Sequence, residues 1–252
     1  MTRELAGVPV VPTPVPHAVA AFAAGAPITP VWRNGVGGLT FRVDLPVAAG
    51  GGCFVKWNPS GSGESLADEE RRLEWLRGRF AVPRVVASGR DGLGEWFATS
   101  AIDAESAVAP AWTSRADAAA RAMGIGLRRL HDALDPADCP FDWSVAERIA
   151  VAEASGTVVP DGLRVPPPVD RLVVCHGDPC APNTLIDVHG AFAGIVDVAR
   201  LGIADRWADL AVGSWSLEWN FGDGHEPAFF EAYGVVPDAR RIAYYRALWD
   251  AT

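Results

Sequence analysis

The feature that most constrains this chain is a short polar loop set between two mainly apolar runs. Residues 172–175 and 184–186 predict two short buried strands. The loop 176–183 between them reads His-Gly-Asp-Pro-Cys-Ala-Pro-Asn, and its Gly and Pro residues are typical of a tight connection. Asp178 and Asn183 therefore lie five positions apart in one short loop between strands.

This spacing suits chemistry on a phosphoryl group. One carboxylate can orient and deprotonate a hydroxyl group, and one amide oxygen can hold a metal ion. A second candidate metal ligand is Asp197, which follows the apolar run 191–196. A carboxylate at the end of a buried strand is costly unless it meets a metal ion or a cation.

The first third of the chain is rich in strand-forming residues and glycine-rich turns. Residues 39–45 and 53–57 predict strands, and glycines gather at 34–38 and 50–52. A glycine-rich turn between strands lets backbone N–H groups approach phosphates closely, although a plain hairpin turn is the commoner alternative. These turns lack the Gly-Lys-Ser/Thr ending of a P-loop, which disfavours that class of NTPase.

Lys56 stands in the middle of a predicted strand, where it could lie at an edge with its ammonium group in water or could bind phosphate. A phosphate-binding lysine needs a carboxylate partner. The following segment predicts a helix that starts after Ser65, a plausible N-cap, and ends before Gly78. Glu69 lies on the apolar face of that helix, and we therefore predict that it pairs with Lys56.

Composition narrows the function classes. The chain has 252 residues, 49% of them hydrophobic, and a formal net charge of −9, which disfavours nucleic acid as the main partner and fits a cationic ligand. Its four scattered cysteines form no CxxC pair, which argues against zinc and favours reduced thiols in a cytoplasm. No apolar run reaches the roughly 18 residues of a membrane span, and we expect no membrane partner.

The second half of the chain is dominated by helical spacing. Helices are predicted at 115–134, 143–154, from Asp205 onward, 226–233 and 237–249. His131 is interpreted as a capping or dipole-favoured residue rather than a catalytic one. Strands first and helices later predict an α+β chain of two lobes, residues 1–101 and 102–252.

Taken together, these stretches resemble the aminoglycoside phosphotransferases, small-molecule relatives of the protein kinases. The resemblance is carried by residues 174–183 and 194–211, supported by 74–83 and 130–141. Order and spacing agree over roughly residues 34–250. The match is strongest to enzymes that modify a 3′ or 3″ hydroxyl, and the Cys-His-Gly-Asp-Pro-Cys form leans toward the 3″ members.

The resemblance implies a two-lobed protein-kinase-like fold. Its N-terminal nucleotide-binding lobe, 1–101, would be an antiparallel sheet carrying one main helix, and its C-terminal catalytic and substrate-binding lobe, 102–252, would be larger and mostly helical. It implies ATP and Mg²⁺ as cofactors and an aminoglycoside as substrate, with antibiotic resistance as the outcome. We expect a cytoplasmic monomer or weak dimer that binds neither nucleic acid nor membrane. The alternatives are a kinase of another small hydroxylated antibiotic or metabolite, and a non-catalytic kinase-like nucleotide-binding module.

The resemblance also implies roles for individual residues. Asp178 matches the catalytic aspartate, Asn183 and Asp197 match the Mg²⁺ ligands, and Lys56 with Glu69 matches the lysine on the phosphates and its helix partner. The matches to the nucleotide-covering loop are Asn34, Gly35, Gly37 and Gly38, and those to the adenine-binding hinge are Ser100, Ala101 and Ile102. Arg200 and Asp205 are expected to hold the metal loop rather than to act in catalysis.

The acceptor side departs from the family. Many 3′ enzymes carry Arg and acidic residues in the helix after Asp209, whereas this chain has Trp215, Glu218, Trp219 and Asn220. The residues assigned to the acceptor are Glu218, Trp219 and Asp250. Together with Asp223 and Glu226, the acidic ones could attract a polycationic drug, or they could form only a solvated face. These differences leave the identity of the acceptor open.

Overall fold

The computed structural model describes residues 7, 9, 12–46, 51–63 and 65–252, which fall into two compact units. The first unit lies within Met1–Arg77 and Pro83–Ile102, and the second comprises Gly78–Val82 and Asp103–Thr252. Gly50, part of the second glycine-rich turn in the sequence, lies outside the described residues.

The first unit is built on a five-stranded antiparallel sheet in the order β1-β2-β3-β5-β4. Its strands are β1 (Ile28–Arg33), β2 (Leu39–Asp44), β3 (Gly52–Pro59), β4 (Val85–Arg90) and β5 (Gly94–Ser100), and its helices are α1 (His17–Ala23) and α2 (Leu66–Leu76). Along β2, Phe41 and Val43 are buried while Arg42 and Asp44 are exposed, the alternation of a strand with one face on a core. That core also contains Val19 from α1.

Helix α2 begins where the sequence predicts, but its first turn is capped differently. The side chain of Ser65 makes no capping hydrogen bond. Instead, the backbone N–H of Leu66 donates to Glu95 Oε1 on β5 at 2.6 Å. Ser65 therefore occupies the predicted N-cap position, but its side chain does not cap the helix, because a carboxylate from a neighbouring strand satisfies the free N–H group.

The second unit is mainly helical. Its helices are α3 (Pro110–Thr113), α4 (Ala116–Ala133), α5 (Val145–Ala154), α6 (Trp207–Phe221), α7 (Glu226–Tyr233) and α8 (Ala239–Ala251). Its strands are β6 (Glu105–Ser106), β7 (Leu172–Cys175), β8 (Thr184–Ile186), β9 (Phe192–Ile195) and β10 (Gly202–Asp205), which form the sheets β10-β7 and β6-β8-β9.

The prediction of a helix from Asp205 onward is wrong at its start. Residues 202–205 form β10, which pairs antiparallel with β7, and α6 begins only at Trp207. A four-residue strand has too few residues to show a period, so tertiary pairing with β7 decides its conformation. Within the described part of the chain, no helix combines the length and the apolar character needed to cross a membrane.

Candidate active site

The loop 176–183 connects β7 to β8, two strands that belong to different sheets of the second unit. Its turn depends on Gly177, whose φ of 84° lies in the left-handed region that favours glycine. A Cβ atom at Gly177 would also overlap the carbonyl oxygen of Arg200. The loop therefore packs directly against the segment that follows Asp197.

Asp209 on α6 fixes the start of this loop. Its carboxylate accepts the backbone N–H of His176 at 2.6 Å and that of Gly177 at 3.0 Å. His131 Nε2 lies 3.0 Å from the same carboxylate, and His131 Nδ1 lies 2.9 Å from the hydroxyl of Tyr233. The predicted capping role of His131 is therefore wrong, because its ring is buried and supports Asp209.

The ring of His176 ties the loop to the next strand connection. Its Nδ1 accepts the backbone N–H of Asp178 at 3.2 Å, so the ring proton lies on Nε2 and can be donated to the carbonyl oxygen of Val196 at 3.0 Å. Val196 immediately precedes Asp197. The imidazole thus sets the spacing between the backbones that carry Asp178 and Asp197.

Among the described residues, Asp178 has the only buried carboxylate oxygen without a hydrogen-bond partner. Its Oδ1 atom is buried and has no hydrogen-bond partner among the described residues. Burial raises the pKa of Asp178, and the negative charge of Asp197 raises it further, while Cys180, Arg200 and His176 act in the opposite direction. A buried acceptor without a donor is unfavourable. This oxygen is therefore suited to accept a hydrogen bond from the hydroxyl group of a ligand.

Asn183 and Asp197 fit a hard cation. The Asn183 Nδ2 group donates to the carbonyl oxygen of Asp178 at 2.9 Å, which turns the amide oxygen to the other side. The Val196 N–H donates to the Asn183 carbonyl oxygen at 3.0 Å, so Asp197 follows directly on a residue bonded to Asn183. Asp197 has a φ of 60°, a strained conformation typical of functional positions in a non-glycine residue. Amide and carboxylate oxygens are the ligands that Mg²⁺ prefers.

A second group with metal-ligand chemistry lies behind the loop, but its atoms are already occupied. His131, Cys175 and Asp209 bring their donor atoms within 4.8 Å of one another. Both Asp209 oxygens accept hydrogen bonds, and burial raises the pKa of the Cys175 thiol well above its usual range. A protonated thiol is a poor metal ligand, so this cluster is a hydrogen-bonded part of the core.

In the first unit, Lys56 and Glu69 form the predicted pair. Lys56 lies on β3, a central strand, and its Nζ donates to Glu69 Oε1 at 2.8 Å and to Oε2 at 2.7 Å. Glu69 is buried on the inner face of α2, whereas the Lys56 side chain is 23% exposed. The alternative of an edge lysine in open water is thereby excluded, and the carboxylate holds the ammonium group in one place.

Asn34, the first residue of the turn 34–38, forms hydrogen bonds with the later residues of the same turn. Asn34 Oδ1 accepts the N–H groups of Val36 at 3.2 Å and Gly38 at 2.5 Å, and the Asn34 carbonyl oxygen accepts the N–H of Gly37 at 3.4 Å. A Cβ atom at Gly38 would collide with the side chains of Asn34 and Asn58. The glycines therefore serve a tight turn here, and among the N–H groups of residues 35–38 only that of Gly35 lacks a partner in the described chain.

The predicted hinge also uses most of its donors within the first unit. The N–H of Ser100 donates to the Arg84 carbonyl oxygen at 2.9 Å, and that of Ala101 to the Gly52 carbonyl oxygen at 2.9 Å. Of the three predicted hinge residues, only Ile102 has a backbone N–H without a partner in the described part of the chain.

The residues assigned to the acceptor lie on two helices of the second unit. Glu218 and Trp219 are exposed on α6, and Asp250 is exposed near the end of α8. The Trp219 ring packs on that of Trp215, with centroids 4.7 Å apart. Glu226, in contrast, is bonded to Arg246, so this acidic residue belongs to an ion pair rather than to an open acidic face.

Arg200 adjoins the loop 176–183, because its carbonyl oxygen packs against Gly177, whereas Asp205 makes its bonds elsewhere. The guanidinium group of Arg200 lies 5.8 Å from the ring of Trp143 and 5.1 Å from that of Trp249. Asp205 accepts the N–H groups of Asp170 at 2.8 Å and Trp207 at 3.0 Å. Asp205 therefore stabilises the entrance to β7 and the start of α6.

Sequence reasoning missed Asp209 and Ser216 as supports of the loop. Ser216 Oγ accepts the backbone N–H of Ala181 at 2.8 Å. The side chains of Asp209 and Ser216 are completely buried. The two residues are seven positions apart on a helix whose other buried residues, apart from Ser214, are apolar. Polar residues that recur at a two-turn spacing on a buried face are the signal that could have identified them.

Three comparisons place this geometry among known proteins. The sequence matches the phosphotransferase enzyme family over residues 28–158 and 160–245. It is 35% identical to an aminoglycoside 3′-phosphotransferase of Streptomyces fradiae, over 75% of this chain and 81% of that protein. It is 30% identical to the streptomycin 3″-kinase of Streptomyces griseus, over 76% of this chain and 82% of that protein.

A solved structure agrees with these relatives. The aminoglycoside phosphotransferase APH(3″)-Id of Streptomyces rimosus, in complex with ADP and streptomycin, superimposes with a TM-score of 0.67 at 28% identity. The match covers 91% of this chain and 97% of that one. The expected protein-kinase-like fold, with an antiparallel sheet unit and a larger, mostly helical unit, is confirmed.

Proposed function

This chain belongs to the aminoglycoside phosphotransferase family, and we propose that it transfers the γ-phosphate of ATP to a 3′ or 3″ hydroxyl of an aminoglycoside antibiotic. The transfer would inactivate the drug and confer resistance. Relatives named for both positions resemble this chain, and a similar enzyme has been seen with ADP and streptomycin. We place the reaction in the cytoplasm, because ATP is supplied there and the four cysteines would remain reduced. We expect the active protein to be a monomer or a weak dimer.

The observation that carries this proposal is the unpartnered, buried Oδ1 of Asp178. An acceptor hydroxyl would donate its hydrogen bond to this atom. As the hydroxyl oxygen forms its bond to the γ-phosphorus, the bond from phosphorus to the β–γ bridging oxygen would break and ADP would leave. The hydroxyl proton would pass to Asp178, whose raised pKa suits a proton acceptor.

Each unit carries residues that suit a part of ATP or its metal ion. Lys56, held by Glu69, would lie against the α- and β-phosphates and neutralise part of their charge. The N–H of Ile102 would donate to the adenine ring. Asn183 and Asp197 would hold Mg²⁺, which when bound supplies positive charge against the phosphate oxygens. In a phosphoryl transfer, positioning and charge stabilisation of this kind provide most of the catalysis.

The acceptor would lie beside α6 and the end of α8. Glu218 and Asp250 would attract the ammonium groups of the drug, and Trp219, 51% exposed, would pack on the apolar face of a sugar ring. The overall charge of −9 favours a cationic acceptor. The exposed indole of Trp219 also supports a second candidate, the phosphorylation of another small hydroxylated antibiotic.

A resistance assay tests the proposed function. The chain and its Asp178→Asn variant would be expressed at equal levels in a susceptible bacterium, and growth would be measured across a panel of aminoglycosides. We expect the unaltered chain to raise the inhibitory concentration of at least one drug and the variant to raise none. Equal growth of the two strains under every drug would contradict the proposal, and protection against a different antibiotic would favour the second candidate.

A further inference from the structure

Helix α6 holds the loop 176–183 at two points that lie on either side of Asp178. Asp209 accepts the N–H groups of His176 and Gly177, just before the catalytic residue. Ser216 accepts the N–H of Ala181, three residues after it. Seven residues span nearly two turns of an α-helix, about 7.2 residues, so both supports project from the same face.

The bond to Ser216 satisfies a donor that the loop cannot satisfy by itself. Ala181 opens a short 3₁₀ turn, Ala181–Asn183, and the first N–H of such a turn has no partner within it. Ser216 is itself fixed, because Asn220 Nδ2 donates to its carbonyl oxygen at 2.7 Å and to its Oγ at 3.1 Å. The hydroxyl oxygen thus has a defined place in a completely buried setting.

The carboxylate of Asp178 depends on this support, because no partner fixes its Oδ1 atom directly. The position of that oxygen follows from the backbone beneath it and from the thiol of Cys180, which bonds to the Asp178 carboxylate and to Ser216. The backbone is fixed on one side by Asp209 and on the other by Ser216.

We infer that Ser216 is a positioning residue that sets the place of Asp178 in the phosphoryl transfer. This inference rests on the proposed function, in which the Asp178 oxygen meets the acceptor hydroxyl. Removal of the Ser216 hydroxyl would free the Ala181 end of the loop while leaving the Asp209 end bonded. A shift of about 1 Å in a catalytic group can lower turnover about 100-fold.

The test compares Ser216→Ala with Ser214→Ala, a matched control on the same helix. Ser214 is also completely buried, but its hydroxyl contacts the Ala211 carbonyl oxygen and Arg246 rather than the loop. We expect S216A to lower kcat by about 10- to 100-fold with an unchanged KM for ATP, and S214A to leave kcat near that of the unaltered protein. Ser216→Thr, which keeps a hydroxyl group, should restore most of the turnover.

Amide hydrogen exchange gives a readout that does not depend on any acceptor. In S216A, exchange should accelerate at Ala181 and its neighbours in the loop but not at His176 or Gly177, and S214A should show neither change. Unchanged exchange at Ala181, or the same loss of kcat in S214A as in S216A, would overturn the inference. If S216A is too unstable to assay, Ser216→Cys replaces the hydroxyl with a weaker acceptor of similar size and should show the same pattern in milder form.

The two ways of failing are distinguishable. If the unaltered protein phosphorylates no aminoglycoside, the proposed function fails, and the exchange experiment still decides whether Ser216 holds the loop. If the unaltered protein is active but S216A turns over equally fast, only the positioning role is lost.

Discussion

Helix α6 passes through two contrasting environments. At its beginning, Asp209 is completely buried and each of its carboxylate oxygens accepts a hydrogen bond from the loop 176–183. Near its end, Glu218 and Trp219 are exposed, and the described contacts of Trp219 include only the neighbouring ring of Trp215. The loop that would act on the phosphoryl group is thus held by several hydrogen bonds from α6, whereas the residues that would select the acceptor have few contacts.

This difference suggests how one fold can retain phosphoryl transfer while its acceptor changes. A substitution at the buried end of α6 disturbs several hydrogen bonds at once, because Asp209 supports His131, His176 and Gly177 together. A substitution at the exposed end changes one surface and little else. We therefore expect substitutions to have large effects on turnover at the first region and smaller effects, mainly on acceptor affinity, at the second.

The largest effect is expected for Asp178→Asn. The amide keeps the shape of the side chain but cannot take a proton, so kcat should fall by about 100- to 10,000-fold. ATP should bind with the same affinity, as measured by calorimetry. Turnover near that of the unaltered protein would show that Asp178 is not the proton acceptor of the reaction.

The Asp178→Asn variant should also be more stable than the unaltered protein at neutral pH. Burial, and next the charge of Asp197, raise the pKa of Asp178, so the folded state favours the protonated form and loses stability as pH rises through this raised pKa. Asparagine is neutral throughout and avoids this loss. We expect a higher Tm for D178N at pH 7.5 and a difference that shrinks as pH falls toward 4, measured by calorimetry in paired buffers. A lower Tm for D178N at pH 7.5 would show that the carboxylate is stabilised by the fold.

Lys56→Met should lower kcat/KM for ATP by about 100-fold, the typical cost of removing one group that stabilises developing charge. Glu69→Gln should have a smaller effect, because the lysine remains and only its anchor is weakened. Steady-state kinetics at varied ATP would order the two variants. Equal and small losses in both would mean that this pair serves only the stability of the first unit.

Gly177→Ala should destabilise the protein, because its left-handed φ and the closeness of the Arg200 carbonyl oxygen leave no room for a Cβ atom. Such strain costs about 1–3 kcal/mol, to be measured by chemical denaturation. Gly156→Ala is the matched control, since that glycine also has a positive φ, 86°, but nothing within 4 Å of its Cβ position. An equal loss in both variants would show that only the backbone conformation matters at Gly177.

The smallest effect is expected at the exposed end of α6. Trp219→Ala should raise KM for the acceptor about fivefold, corresponding to the loss of roughly 1 kcal/mol of aromatic contact, without changing KM for ATP. Val236→Ala, at an exposed residue outside α6, serves as the control. A fall in kcat with unchanged acceptor KM would place Trp219 in the supported region rather than in the acceptor surface.

Predictions from the sequence were correct where a short stretch of residues by itself determined the local structure and the position of a functional side chain. The strands around the loop 176–183, the helix ending before Gly78 and the Lys56–Glu69 pair could all be predicted, because period, turn residues and an isolated inner charge reveal them locally. The protein-kinase-like fold followed from the resemblance rather than from periodicity.

What could not be predicted depends on residues distant in the chain. Strand β10 exists because β7 lies beside it, and the true environment of His131 depends on Asp209, 78 positions later. Ser216 looked like an ordinary helix residue, since its partner is the backbone N–H of Ala181, 35 positions earlier in the chain. For the same reason, residue patterns alone leave the acceptor surface open.

The central claim is that Asp178 drives phosphate transfer from ATP to an aminoglycoside hydroxyl. Mass spectrometry of the drug after incubation with ATP, Mg²⁺ and the purified protein tests it most directly, with fragmentation to locate the modified hydroxyl. We predict the gain of one phosphoryl group at a 3′ or 3″ oxygen with the unaltered protein and no product above background with D178N. An unmodified drug across the whole aminoglycoside panel, or equal product from D178N, would contradict the claim.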